Sequence, residues 1–347
     1  MRQGREIILW AVALLAGNVL GSSLALPAAA YLTAALASAL ISRRRPSTIL
    51  FILTFILLGA ASVQICRLPP LHGPSYLGIL CSGLKARFSA YLGGFFPPGD
   101  ERALLQALVA GDRSGITRQI RGAFGESGAM HLLALSGLHI GIVYMFASRV
   151  LSLAGGSIPV RRIRSALILA LLWAYACITG LSPSICRAVT MITIHEIALA
   201  RKASSDPLRS LAIAAIVLAL ADPECPREAG FQLSFAACLG IFVIYPRLKG
   251  LLSTRMRIIG RMWDGACLAI ACQLTAGMLS WRLFGIFPKY FLLTQMLAVP
   301  VAGALLYMVP VMLAAAPLPH LQGFLAQIAL HTTKLLYEIV RLIADLS

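Results

Sequence analysis

The chain has 347 residues, of which 59% are hydrophobic and only 12% charged, and its mean hydropathy is +0.84. That balance excludes an ordinary water-soluble domain, whose surface needs about twice that share of charge. The formal net charge of +17 does not by itself indicate nucleic acid, because Lys and Arg accumulate in the cytoplasmic loops of membrane proteins and most of the excess is of this kind.

A membrane-spanning helix needs about 20 mainly apolar residues. Backbone groups in hydrocarbon must bond internally, and the Leu/Ala/Ile runs here lack the alternation of a barrel strand. The predicted fold is therefore an all-α polytopic membrane protein with about ten or eleven transmembrane helices. Residues 7–20 and 24–41 form the first two spans, with Arg2 and Arg5 before them and Arg43, Arg44 and Arg45 after them. The opening segment is signal-like, but a second span follows at once without a clear cleavage pattern, so it reads as retained. Residues 48–65 form the third span.

A non-spanning region follows, punctuated by Pro69-Pro70 and Pro97-Pro98. It carries an amphipathic stretch over 76–96 and a helical pattern near 103–110, which predicts a segment lying along the outer membrane interface. The expected organisation is 1–65 as amino-terminal spans, 66–129 as this extracytoplasmic segment and 130–347 as the principal transmembrane domain. Later spans fall at 130–153, 165–180, 185–200, 208–221, 230–245, 264–283, 290–315 and 321–343. Pro300 and Pro310 predict that the 290–315 stretch is broken or re-entrant.

Charge orients this layout. Arg161, Arg162 and Arg164 fall in one inner loop, Arg201, Lys202 and Arg209 in the next, and Arg247, Lys249, Arg255, Arg257 and Arg261 in a third. The intervening outer loops hold a single basic residue, Arg227. This asymmetry predicts a cytoplasmic amino terminus. Of the eight cysteines, none forms a metal-type spacing with Cys or His. Cys66 and Cys81 both fall in the region placed outside, where disulfides persist, and a bond between them is expected.

Polar side chains inside spans are functional candidates because each is costly in hydrocarbon. Three motifs carry them: His131-Leu-Leu-Ala-Leu-Ser136-Gly137-Leu-His139, Gly180-Leu-Ser182-Pro183-Ser184-Ile-Cys-Arg187, and Gly230-Phe-Gln232-Leu-Ser234-Phe. All three lie at outer helix ends in this topology, so His139, Arg187 and Gln232 are expected to line one vestibule. The same residues also serve structural roles in other proteins: Ser and His bond across packed helices, Arg snorkels, and Gly lets helices approach.

The three motifs, in this order and preceded by Gly111-Asp112-Arg113 and Phe124, resemble the competence domain of the ComEC-type DNA internalisation proteins over about residues 103–300. Gln295 stands where the family's later motif carries Asn. The resemblance implies a channel or channel subunit in the bacterial inner membrane that passes single-stranded DNA into the cytoplasm during natural transformation. The implied contacts are His131, Ser136, Gly137, His139, Ser182, Ser184, Arg187, Gly230, Gln232 and Ser234, with no catalytic residue, metal or cofactor. Full-length relatives add a nucleic-acid-binding domain of the OB type and a metallo-β-lactamase-like domain. Neither fits this sequence, so a channel-only relative is expected, working with membrane lipid, a separate DNA receptor, a nuclease and a cytoplasmic motor, or as a homo-oligomer.

Two other classes compete. A transporter of another substrate, or a family member without a DNA role, would share the fold. An intramembrane protease would need a base for Ser136, for which His139 is awkwardly close in sequence; the zinc version fails because His195-Glu196 is followed by Leu199 where a second His is required.

Overall fold

A computed structural model of the chain describes residues 2–23, 27–44, 47–66, 76–133, 135–152, 158–200, 206–252, 256–285 and 289–346. Every regular element among them is helical: α1 (Arg2–Ser23), α2 (Ala28–Arg44), α3 (Thr48–Cys66), α4 (Tyr76–Gly93), α5 (Asp100–Ala110), α6 (Arg118–Glu126), α7 (Met130–Leu133), α8 (Gly137–Ser152), α9 (Ile158–Ile178), α10 (Pro183–Ala200) and α11 (Pro207–Ala221). The remaining helices are α12 (Ala229–Lys249), α13 (Arg257–Leu283), α14 (Phe291–Ala314) and α15 (Pro319–Ala344). Each of α12 and α13 contains one π-helical turn, at Gly240–Ile244 and Gln273–Gly277.

The protein is an all-α polytopic membrane protein. Among the described residues, α12, α13 and α14 are long and apolar enough to cross a bilayer, at 21, 27 and 24 residues. Five shorter apolar helices accompany them, in α1, α2, α3, α8 and α11. Large apolar side chains such as Val12, Leu36 and Ile49 stand exposed on α1 to α3, as lipid-facing residues should. The stretch expected to be broken is one continuous helix: α14 carries both Pro300 and Pro310 in its interior. Each proline removes one hydrogen bond, to the carbonyl four residues earlier, and membrane helices tolerate that loss when neighbouring groups take up the slack.

The helices pack as two units. One comprises Met1–Gly73 and Thr190–Phe242. Here α1 runs against α3, and the small residues at the contact set the separation. A Cβ at Gly17 would overlap the Ile56 backbone, one at Gly21 the Ala60 backbone, and one at Gly59 the Leu14 carbonyl. Gly17 and Gly21 are four apart, so they lie on one helix face and admit the backbone of α3. Asn18 between them is buried and donates to the carbonyls of Ala219 (3.3 Å) and Pro223 (3.1 Å), which fixes α1 on the end of α11.

The other unit comprises Pro74–Val189 and Val243–Ser347. Its core is a helical hairpin of α14 and α15 with α5 and α6 packed onto it. On α15 the buried residues Ala326, Ala329, Thr333, Leu336, Val340 and Ile343 recur at alternating steps of three and four, the spacing of one helix face. They meet Leu305, Val309 and Met312 of α14, with Leu105 and Leu108 of α5 and Ile120 and Phe124 of α6 completing the cluster. Asp100 and Glu101 occupy the first turn of α5, where the helix dipole favours carboxylates. The helices α5 and α6 thus form part of the main packing of this unit.

Cys81 is a free thiol, 1% exposed, beside Cys177 of α9; the expected bond from Cys66 to Cys81 involves the Cys66 side chain, which lies outside the described residues. The inward turn of Cys81 follows from α4 packing on α9, which sequence spacing does not reveal.

Two glycines test this packing. Gly59→Leu should abolish the α1–α3 contact and give protein that aggregates on size exclusion in detergent. Gly83→Ala should fold normally, because a Cβ there meets nothing within 4 Å, and should raise stability by about 0.5–1 kcal/mol through helix propensity, read as a higher thermal midpoint.

Candidate functional site

The first two polar motifs lie in the same unit and come together at the starts of α8 and α10. A Cβ placed on Gly137 would sit 3.8 Å from the Ala188 Cβ, an ordinary contact, so Gly137 is not required for the approach. Ser136 precedes α8 and its hydroxyl accepts from the Leu138 N–H at 3.3 Å. In return the Ser136 N–H donates to His139 Nδ1 at 3.1 Å, and Ser136 Oγ lies 3.0 Å from the same nitrogen. This is a reciprocal helix cap in which His takes the place usually held by Glu or Gln. It places the ring hydrogen on Nε2, which is buried without a completed hydrogen bond, near the carbonyl of Leu108. His139 itself is 1% exposed.

His131 is held on the opposite pattern. Its Nδ1 lies 3.1 Å from the Gly128 carbonyl and so carries the hydrogen. Nε2 then accepts from the Gln295 side-chain amide at 3.4 Å. Gln295, the residue that stands in for Asn, joins the fourth predicted span to α14, and Thr294 beside it donates to the Ser127 carbonyl.

The second motif begins where α9 ends. The N–H of Gly180 bonds to the Cys177 carbonyl (3.0 Å) and that of Leu181 to the Ala176 carbonyl (2.8 Å), which is the Schellman closure of a helix. Gly180 has φ +78° and Leu181 has φ +52°, the latter a left-handed conformation that a branched side chain adopts at a cost. The tight turn brings Pro183 to the start of α10, where its missing N–H is not needed. Arg187 follows one turn in, is 4% exposed, and donates from Nη2 to Ser184 Oγ at 2.9 Å.

Between this turn and the α5–α6 connection lies a cavity of about 460 Å3. Its polar wall is Lys85 from α4, Arg113 from the loop after α5, and Thr179, Ser182 and Ser184 from the α9–α10 turn. Gly111 and Leu135 close it. Gly111 caps α5 at φ +68°, and a Cβ on it would overlap Leu135. Ser182 and Ser184 were legible from sequence as candidates. Lys85 was not, and Arg113 stood only as part of the family pattern; the Lys85–Arg87 pair of cations in a mostly apolar helix was the available signal for the first.

Asp112 anchors the loop that carries Arg113. Its Oδ2 accepts from the Ser89 hydroxyl at 2.6 Å, and its Oδ1 accepts from the Ser114 N–H (3.1 Å) and hydroxyl (2.7 Å). Gln106 completes the link by donating to the Ser89 carbonyl at 2.8 Å. The Ser89 hydrogen bond, aided by Ser114 and by the charge of Lys85, outweighs partial burial and holds the Asp112 carboxyl below its ordinary pKa.

The third motif belongs to the other unit. Phe231 is buried and stacks on Phe235 with centroids 4.2 Å apart. Gln232 donates from Nε2 to the Pro226 carbonyl at 3.1 Å, while Gly230 is exposed and Ser234 half-buried. Thus the structure brings His139 and Arg187 into one unit and shows Gln232 supporting the loop ahead of α12 in the other.

Two variants test these local assignments. Asp112→Asn should flatten the acid limb of stability. A carboxylate with a depressed folded pKa contributes stability that is complete above its unfolded value near about 4 and is lost as pH falls through the folded value, and the amide has no such limb; thermal midpoints from pH 7 to pH 3 measure it. Ser136→Ala should cost about 1 kcal/mol as a lost cap, and a fluorophosphonate probe should label neither protein.

Comparison with known proteins bears on residues beyond this unit. A family profile described as competence protein matches residues 108–347. ComE operon protein 3 of Bacillus subtilis (strain 168) is 32% identical over 160 residues, which is 46% of this chain and 20% of that protein. The chain therefore aligns with about a fifth of that relative's length. No solved structure matches.

Proposed function

Because the chain belongs to the competence protein family, as a ComEC-type member, we propose that it takes part in DNA uptake and forms the channel, or part of the channel, through which single-stranded DNA enters the cytoplasm. The observation that carries this reading is Arg187: a guanidinium 4% exposed, seated on Ser184 at the start of a largely apolar helix, within the segment that matches the family. A cation held there is expensive in a protein whose surroundings are hydrocarbon. A polyanion crossing a low-dielectric slab needs contacts of this kind, few in number and weak enough to release.

In this reading the protein sits in the bacterial inner membrane with its amino terminus inside, as the distribution of Lys and Arg between loops favours. His131, Ser136, His139, Ser182 and Ser184 supply neutral donors and acceptors along the path. The chain has no Walker-type Gly-x-x-x-x-Gly-Lys segment, so the work of transport comes from a partner motor or the membrane gradient, with a receptor and nuclease delivering the strand.

Uptake of labelled DNA into the cytoplasm of a deletion strain tests the reading. Wild type should restore uptake. Arg187→Ala at equal abundance should lower it at least about tenfold, the loss of a charge-assisted contact, and Arg187→Lys should retain more than Ala. Normal uptake in the deletion strain, with no second family copy present, would favour transport of another substrate or a member without a DNA role.

A further inference from the structure

We propose that the cavity between α4, the loop after α5 and the α9–α10 turn binds a backbone phosphodiester of single-stranded nucleic acid, held by Lys85 and Arg113 with Ser182 and Ser184 as hydroxyl donors. The identity of the ligand rests on the transport reading; the anion chemistry of the site rests on its walls alone.

Four features point to an anion. Among the described residues the Lys85 ammonium makes no hydrogen bond or salt bridge, although it lies on the cavity wall and close enough to Asp112 to act on its charge. Arg113 is fixed through Nε, which donates to the Leu133 carbonyl at 3.0 Å. This leaves the two terminal nitrogens, which carry the forked donors suited to phosphate oxygens. Ser182 Oγ is buried and has no hydrogen-bond partner, a hydroxyl held ready on the same wall. The first turn of α10, an 18-residue helix, supplies N–H groups and the positive end of its dipole behind Ser182 and Ser184. Asp112 is the opposing charge, but its oxygens are occupied by Ser89 and Ser114. Two cations against one engaged carboxylate leave the pocket positive.

Size and composition narrow the ligand further. At about 460 Å3 the cavity lies in the range of small-molecule sites and exceeds what a bare phosphate fills, so a sugar can enter with it. Among the described residues no aromatic side chain lines it, so a base finds no stacking platform there. Contacts confined to phosphate carry no sequence information. The site accordingly grips the backbone of any sequence, which is what a conduit for arbitrary DNA requires.

The test uses the full chain in nanodiscs of zwitterionic lipid and fluorescent twelve-residue oligothymidine and oligodeoxyadenosine, with anisotropy read as a function of salt. Both oligonucleotides should bind with similar Kd, and a methylphosphonate version with neutral linkages should bind at least about tenfold more weakly. Lys85→Gln should weaken binding about five- to tenfold and reduce the slope of log K against log salt by about 0.7, the value for one phosphate contact on a single strand. Ser182→Ala should weaken it less and leave the slope unchanged. Lys85 supports no structural hydrogen bond, so its loss should leave the protein folded, with at most a small drop in thermal midpoint from the weakened charge contact with Asp112.

Unchanged affinity and slope in Lys85→Gln, or equal binding of the methylphosphonate, would overturn the site. So would an effect of Lys85→Gln that arises only in nanodiscs containing anionic lipid, which would assign the cavity to a lipid headgroup. If uptake fails in the deletion strain while Lys85→Gln binds normally, the phosphate site is wrong and the transport reading stands. If Lys85→Gln loses binding while the deletion strain takes up DNA normally, the site stands and the transport reading is wrong.

Discussion

In a chain surrounded by hydrocarbon every polar group must find its partner within the protein, and this constraint organises most of what the structure contains. It makes each described element a helix and keeps α14 continuous through two prolines. It also turns polar side chains back on the chain: Asn18 reaches the carbonyls at the end of α11, and Thr333 returns to the carbonyl of Ala329 in its own helix. The cap made by Ser136 and His139 has the same origin. A helix whose first turn sits among apolar residues cannot leave N–H groups to water, so the side chain before it and the one three residues into it close on each other. The short Ser136–His139 distance is thereby a property of a helix start, with the ring nitrogen already engaged by a backbone donor.

Among the buried side-chain atoms without a hydrogen-bond partner, which occur in both units, are His139 Nε2 and Ser182 Oγ, near the starts of α8 and α10. The strained Leu181 is in the same turn. Backbone strain and open hydrogen-bond capacity are costs that a purely structural connection would have shed, and their coincidence in one loop marks it as more than a link between two helices.

The fold class was legible because hydropathy over about 20 residues reports the solvent directly. Boundaries were legible less evenly. The third span, read as 48–65, is α3 almost to the residue, whereas the span read as 165–180 is the apolar part of a helix that starts at Ile158, since backbone hydrogen bonding continues through the charged run Arg161 to Arg164 that hydropathy excludes. The two prolines misled because their local cost is real but smaller than that of exposing two new helix ends. In the site, Ser182 and Ser184 stood out as local sequence, but Lys85 meets them only through the packing of α4 on α9, a contact across nearly a hundred residues that no local pattern encodes.

The π-helical turn in α13 has a consequence for the longest of the membrane helices. An α-helix advances about 100° per residue, so accommodating one residue beyond the regular count rotates everything after it by roughly that angle. The face that α13 buries through Cys267 and Ala271, four residues apart, therefore does not continue straight into the turns beyond Gly277, and one rod presents two differently aimed faces. The helix is two segments sharing an axis but not an azimuth.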